Sequence, residues 1–316
     1  MIYEAYGGPE KLSLVDAPRP VPTEGQVLIR VLASSVNPID WKRASGALRM
    51  ILPLCFPGRP GYDVAGELVE LGPGVTGLAV GDRVHARIGE SNAGGAAEYA
   101  VAGIDVVAPM PSVLSAAEAA ALPLAGMTAL QGLRDQAGLP LTGATERLLV
   151  GGASGGVGHL AVQIARAAGA TVIGVCSGRN AELVRSLGAH DVIDYTKPDA
   201  FQGLAPVDIV LDCVGGDASP WTPLLGPGGR YASCVPGPAV FLRSAVNALT
   251  DKQVKPVLLK SRAADLRILG ELAERGQLRV VIDSHYPLEQ LGAAWTRSMS
   301  GRTVGKIVID VASEPA

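Results

Sequence analysis

The sequence predicts an α/β fold of two domains, a small β-barrel and a doubly wound parallel sheet. Three observations predict it. The apolar run 147–150 meets a glycine cluster and then the Ala-rich stretch 159–168, which reads as a strand, a tight turn and a helix. From there to residue 260 short apolar runs alternate with helical stretches, the pattern of parallel strands joined by crossover helices. Before residue 110 the chain instead carries short β-rich runs punctuated by Gly and Pro, and 316 residues suffice for two full cores.

In chain order, strands are expected at 26–33, 66–71 and 82–88, with Pro73-Gly74 and Val80-Gly81 as turns. Helical texture begins at 115–122 and continues over 125–137, so the domain boundary falls near residue 123. The second domain then reads strand 147–150, helix 159–168, strand 171–176, helix 181–187, and strands 191–195 and 207–214. A helix near 221–225, the turn Gly226-Pro227-Gly228-Gly229, a strand at 230–235 and a sixth strand at 256–260 complete it. A helix at 263–275, a strand at 280–283, a helix at 288–299 and a strand at 306–311 close the chain. With six strands already placed, this tail is expected to rejoin the first domain, giving domains 1–123, 124–262 and 263–316.

Gly152, Gly155 and Gly158 recur every third residue between the strand and the helix. The backbone can turn sharply there, a pyrophosphate can approach without meeting a Cβ, and the helix offers it unpaired N–H groups and a positive dipole end. The first two glycines are three apart, where G-x-G-x-x-G has them two apart. Gly152, Ala153, Ser154, Gly155, Gly156 and Val157 are therefore the expected phosphate-binding loop. Enzymes that prefer NAD place an acidic residue at the end of the second strand. Here that strand runs into Ser177-Gly178-Arg179-Asn180, whose hydroxyl and guanidinium suit a 2′-phosphate, so the expected cofactor is NADPH. The plainer alternatives are an ordinary strand-to-helix turn for the glycines and solvated loop positions for Ser177 and Arg179.

A net charge of -3 and a pI near 5.9 give no basic face, so neither nucleic acid nor an anionic membrane is an expected partner. The amino terminus has no basic region or apolar signal core, which points to the cytoplasm. Cys55, Cys176, Cys213 and Cys234 form no C-x-x-C pair, which argues against a disulfide or zinc framework, and the three in or beside expected strands, Cys176, Cys213 and Cys234, read as small buried apolar residues. The histidines His85, His159, His190 and His285 show no metal spacing.

The segments Gly61-Tyr62-Asp63-Val64-Ala65-Gly66-Glu67, Val80-Gly81-Asp82-Arg83-Val84, Ala125-Gly126-Met127-Thr128-Ala129-Leu130, the glycine loop and Gly305-Lys306-Ile307-Val308 together resemble the medium-chain dehydrogenase/reductase superfamily. Within it the combination resembles the zinc-free quinone oxidoreductases of the zeta-crystallin type. The resemblance covers nearly the whole chain and implies a GroES-like barrel domain beside a Rossmann domain. Metal-dependent members carry a Cys near Pro38 to Asp40, a His at Tyr62 and a further Cys just before Thr128. This chain has Asn37-Pro38-Ile39-Asp40, Tyr62 and Leu124-Ala125 there, so no metal is expected.

The resemblance implies hydride transfer from NADPH to a small acceptor needing little activation, a quinone or an enone. It further implies that Thr128, Val214 and Val235 line the nicotinamide side, that Tyr195 lies near the adenosine end, and that Asn37, Asp40 and Tyr62 serve the acceptor, Tyr62 as a hydrogen-bond donor or proton relay. Alternatives stand beside these roles: Tyr62 packing in the barrel, Asp40 capping a helix, Asn37 as a turn residue, Thr128 at a helix start. An alkenal or enone double-bond reductase, a non-enzymatic NADPH-binding redox sensor and a zinc alcohol dehydrogenase are the rival functions. A homodimer is expected by resemblance, with 256–260 as the candidate sheet edge.

Overall fold

The computed structural model describes residues 1–89 and 94–312. The chain divides into two compact units, Met1–Leu124 with Ser261–Glu274 and Val280–Ala316, and Ala125–Lys260 with Arg275–Arg279. The last four residues of the expected return segment, 313–316, lie outside the described residues.

The first unit opens with a short antiparallel ribbon, β1 (Ile2–Tyr3) and β2 (Leu12–Ser13). Its frame is β3 (Gln26–Val36), β4 (Asp63–Leu71), β5 (Arg83–Arg87), β6 (Tyr99–Gly103) and β7 (Val107–Pro109), with α1 (Pro38–Ala44) and α2 (Ala116–Ala121). Along β3, Val27, Ile29 and Val31 alternate into a core shared with Val64, Leu68, Val84 and Ala86. The β3–β4 register shifts between Leu28 and Ile29 and again between Val31 and Ala33. Such bulges bend a strand. The first half of β3 pairs β6, through Gln26 to Arg30, and α2 begins with a capping box between Ser115 and Glu118.

The second unit begins at Ala125, within α3 (Pro123–Gln131), which ends in a π-helical turn, Gly132–Gln136, where the sequence predicts one continuous helix. There follow β8 (Arg147–Gly151), α4 (Gly158–Ala168), β9 (Thr171–Cys176), α5 (Ala181–Ser186), β10 (Asp191–Asp194), β11 (Val207–Asp212) and β12 (Leu225–Ser233). Then come α6 (Pro238–Ala245), which the sequence reading lacks, and β13 (Gln253–Pro256). All six strands are parallel in the order β10-β9-β8-β11-β12-β13. This is a Rossmann sheet. The apolar runs of β8, β9 and β11 suit strands that are covered on both faces.

Two expectations are corrected here. The helix near 221–225 is a single 3-10 turn, Thr222–Leu224, and β12 starts at Leu225, so the Gly226–Gly229 run is an irregularity within a strand. The sixth strand is Gln253–Pro256, not 256–260. After one more bond, from the Val257 N–H to Ser233 O, the chain leaves the sheet, and the Gln131 carboxamide takes both backbone groups of Lys260. At the outer side of β13 the Asn247 carboxamide donates to Val254 O at 2.9 Å and accepts from Val254 N–H at 2.9 Å, taking both backbone groups of that residue.

The tail consists of α7 (Ala263–Glu274), β14 (Ile282–Pro287), α8 (Leu291–Met299) and β15 (Lys306–Asp310). The strand expected at 280–283 begins two residues later and runs to Pro287. β15 is inserted between β14 and the second half of β3, completing a GroES-like barrel sheet. Arg275–Arg279 group with the second unit because Gln163 on α4 bonds both the N–H and the C=O of Arg279. Among the described residues no helix is long and apolar enough to cross a membrane.

Asn247→Ala removes the edge cap and leaves Val254 with two unpaired backbone groups, the condition that invites a second strand. The expected outcome is greater concentration-dependent self-association than in the parent chain, read by light scattering.

Candidate active site

The nucleotide loop is built where β8 ends. The chain reverses at Gly152, with φ +71°, and Gly155 N–H closes the turn on Gly152 O at 2.9 Å. A Cβ on Gly158 would stand 2.1 Å from Gly152 O, so α4 can pack this close only with glycine there. The Ala153 N–H bonds Val175 O at 2.9 Å, tying the loop to β9. Ala153 and Ser154 are buried beneath the loop, while Gly155, Gly156 and Val157 stay partly open at the head of α4. Above Gly155 an added Cβ meets only Gly152 O, at 3.3 Å. That open space over helix N–H groups suits a phosphate.

Asn180 is spent differently from expectation. Its Nδ2 donates to Ser154 Oγ at 3.0 Å, so it braces the loop from the end of β9. Ser177 is half-buried and Arg179 exposed. One carboxylate that the sequence reading did not place is beside them: a Cβ on Gly178 would lie 2.4 Å from Asp194 Oδ2. Asp194 sits at the end of the neighbouring strand β10, and hydrogen bonds, from Thr196 first, hold its pKa below the usual carboxylate value. Tyr195, next along, is 56% exposed.

At the carboxyl ends of β11 and β12, Val214 and Val235 are both exposed, and Thr128 is buried on α3. The Val214 segment is supported by Asp212, fully buried, which the sequence reading missed. Its Oδ1 accepts the N–H groups of Val214 and Gly215 at 2.8 and 3.1 Å, and its Oδ2 accepts the Tyr231 hydroxyl at 2.8 Å. Burial, reinforced by the Asp212 charge, raises the Tyr231 pKa, so the hydroxyl stays a donor. A carboxylate closing the apolar run 209–211 was the available signal.

In the first unit Asn37, Asp40 and Tyr62 are all buried. Asn37 and Pro38 start α1, and Asp40 in its first turn accepts the Asn37 N–H at 2.7 Å with Oδ2 and the Gly61 N–H at 3.0 Å with Oδ1. Asp40 is thus not the N-cap of a helix over 41–43: Asn37 is the N-cap of α1, and Asp40 accepts its N–H from the first turn. The Asn37 carboxamide donates to Asp63 Oδ2 at 2.8 Å and accepts a short hydrogen bond from Lys306 Nζ. Lys306, also unassigned by the sequence reading, donates to Val36 O at 3.1 Å and lies 3.7 Å from Asp63 Oδ2. Asp63 further accepts Ser35 Oγ–H and Leu124 N–H. The signal for Lys306 was a cation opening an apolar strand.

Burial pushes Asp40 up to about 7, and the Asp63 charge adds to this, against the opposing Asn37 and Gly61 bonds and Lys306. Burial likewise lowers Lys306 from its usual value, against the two carboxylates. Tyr62 is 2% exposed, its hydroxyl accepts from Arg43 Nη1 at 2.8 Å, and the Arg87 guanidinium lies 5.4 Å from its ring centroid. Burial, its largest cause, raises the Tyr62 pKa. The packing alternative for Tyr62 describes its surroundings.

These residues do not fit zinc. Asp40 and Asp63 already hold N–H donors and stand by the Lys306 ammonium, and among the described residues no three His, Cys, Asp or Glu side chains converge. The nucleotide loop does fit a nicotinamide dinucleotide.

Residues 23–112 match the alcohol dehydrogenase GroES-like domain family, and residues 187–309 match a zinc-binding dehydrogenase family. The class is thus the medium-chain dehydrogenase/reductases, oxidoreductase enzymes that use a nicotinamide cofactor and a small-molecule substrate. The chain is 42% identical to the chloroplast envelope quinone oxidoreductase homolog of Arabidopsis thaliana, over 98% of this chain and 97% of that one. It is 39% identical to the chloroplastic quinone-oxidoreductase homolog of Spinacia oleracea over the same shares. The quinone oxidoreductase structure from Coxiella burnetii superposes with a TM-score of 0.87 at 34% identity, covering 98% of both chains. The chain belongs to the quinone oxidoreductase-like family of that superfamily. The cytoplasmic location expected from the sequence is overturned by these relatives, two of which are chloroplast proteins by name. A missing apolar signal core, on which that expectation rested, does not report the compartment.

Lys306→Met leaves the Asp63 carboxylate buried without its ammonium, and unfolding measurements should show a loss of about 3 to 5 kcal/mol. Asp40 binds its proton up to about pH 7 when folded but only to 3.8 when unfolded. Its protonation therefore favours the fold at low pH, and that contribution is lost as pH rises toward 7. Asp40→Asn stays neutral throughout, so the thermal midpoint of the variant should fall less than that of the parent chain over that range.

Proposed function

We propose that this chain reduces a quinone with NADPH, by hydride transfer without zinc. One observation carries the reading: an intact nucleotide loop accompanies a buried Asn37–Asp40–Asp63–Lys306 cluster, in which Asp40 is the one residue at a position where the resemblance puts a ligand of metal-dependent members, and it is bonded to backbone N–H groups instead. A quinone carbonyl, activated by its own conjugation, needs no Lewis acid. The likeness to proteins named quinone oxidoreductases supports the acceptor class.

In this reading the backbone N–H groups of Gly156 and Val157, beside the open space at Gly155, and the head of α4 hold the pyrophosphate. Gly152, Ala153, Ser154 and Asn180 shape that loop without touching the ligand. Ser177 and Arg179 bind the 2′-phosphate, and Tyr195 flanks the adenosine. Asp212 fixes the segment that presents Val214, and Val214, Val235 and Thr128 form the nicotinamide side. The bound dinucleotide supplies the hydride. Asn37, fixed by Lys306 and Asp63, orients the acceptor, and Asp40, able to hold or release a proton near neutral pH, serves with Tyr62 as the proton reservoir for the reduced quinone oxygen.

Arg179→Ala should weaken NADPH by about 1 to 3 kcal/mol, the worth of a charge-assisted hydrogen bond, and leave NADH nearly unchanged in fluorescence titrations. Asp194→Asn should shift preference the opposite way, because its carboxylate repels a 2′-phosphate at Gly178. The direct test follows NADPH oxidation optically with ortho- and para-quinones and with alkenals, with and without a chelator. Chelator-insensitive turnover of quinones is the expected result; alkenals alone being reduced would overturn the acceptor class.

A further inference from the structure

We propose that Cys213 and Cys234 form a redox-sensitive dithiol at the carboxyl edge of the parallel sheet, which a hydroperoxide closes to a disulfide that lowers turnover. Asp212 on β11 pairs with Ser233 on β12, so the next residues on each strand, the two cysteines, stand opposite one another. Their sulfurs are 3.9 Å apart and both thiols are free. Neighbouring strands lie about 4.8 Å apart, inside the span of about 4.4 to 6.8 Å between Cα atoms that a disulfide bridges. Both side chains are partly exposed, unlike Cys176, which is buried; the reading of all three as core residues is corrected accordingly.

The pair is asymmetric. The Cys213 thiol donates toward the Cys234 sulfur, and this bond together with burial holds its pKa well above the usual thiol value. Cys213 donates this bond and Cys234 accepts it, so Cys234 is assigned as the attacking sulfur and Cys213 as the resolving one. The Cys234 thiol attacks the peroxide O–O bond, giving a sulfenic acid with release of water or alcohol. The Cys213 thiol then displaces the sulfenic hydroxyl as a second water and forms the S–S bond. The two sulfurs give up two electrons and the peroxide takes them.

Closure has a mechanical consequence. The sulfurs must approach from 3.9 Å to about 2.05 Å. The backbone at both cysteines is pinned, Cys213 N–H to Gly151 O at 3.1 Å and Cys234 N–H to Asp212 O at 2.8 Å. The following residues Val214 and Val235 take up the shift, and the two segments already touch, since a Cβ on Gly215 would lie 2.7 Å from Val235 Cβ. The loss of turnover rests on the functional reading above, in which these valines form the nicotinamide side. A displacement of about 1 Å at a reacting site costs on the order of 100-fold in rate.

The test treats the full chain with hydrogen peroxide, alkylates the remaining thiols, maps the peptides by mass spectrometry and measures quinone-dependent NADPH oxidation in parallel. The expected result is a peptide pair joined through Cys213 and Cys234, roughly tenfold or greater loss of turnover, recovery with dithiothreitol, and no loss in a Cys234→Ser variant. Alkylation of both cysteines after peroxide, or equal inactivation of Cys234→Ser, would overturn the proposal. A chain that binds NADPH but reduces no quinone before oxidation would instead sink the functional reading. NADPH fluorescence titration of the oxidised and reduced forms would then still decide the switch, with unchanged affinity counting against it.

Discussion

A charge removed from water must be answered by other polar groups, and in the barrel unit that requirement falls on Lys306. Its ammonium is answered by Val36 O, the Asn37 carboxamide and the Asp63 carboxylate, all buried with it. Each bond constrains a different element: β15 must lie beside β3, α1 must start where Asn37 can turn inward, and β4 must present Asp63. Asp40 then sits within the reach of two charges of opposite sign, and burial decides the outcome by favouring its neutral form.

The parallel sheet applies the same economy with fewer charges. Its carboxyl edge is a row of strand ends, which would leave backbone N–H groups loose, and Asp212 gathers two of them while holding Tyr231. The loop after β8 needs no side chain for this purpose, because glycine lets the chain fold on itself through Gly152 O. Asn180 reaches across from β9 to steady it. A phosphate-binding edge results, in which rigidity comes from short local bonds.

Much of this was legible in the residues. The glycine spacing, the apolar runs of β8, β9 and β11 and the return of the tail to the barrel are local patterns, and periodicity reports them directly. What periodicity could not report were partners distant in sequence. Nothing near Asn247 announces that it bonds Val254 on β13, and nothing near Gln131 announces that it draws Lys260 away from the sheet. The carboxylate at Gly178 comes from Asp194 on a neighbouring strand, so a reading confined to 177–180 found none. Asn37, Asp40 and Tyr62 were singled out together, but the surroundings of Asn37 and Asp40 depend on Lys306, from a strand at the opposite end of the chain, while Tyr62 is held by Arg43.

That separation also orders events during synthesis. Asn37 and Lys306 are 269 residues apart, so a ribosome has made nearly the whole chain before the ammonium reaches its partners. Until then Asp63 has no counter-ion to justify burial, and the nascent barrel must keep that carboxylate hydrated. The first unit is therefore begun early but can be sealed only last, after the second unit has been completed in between.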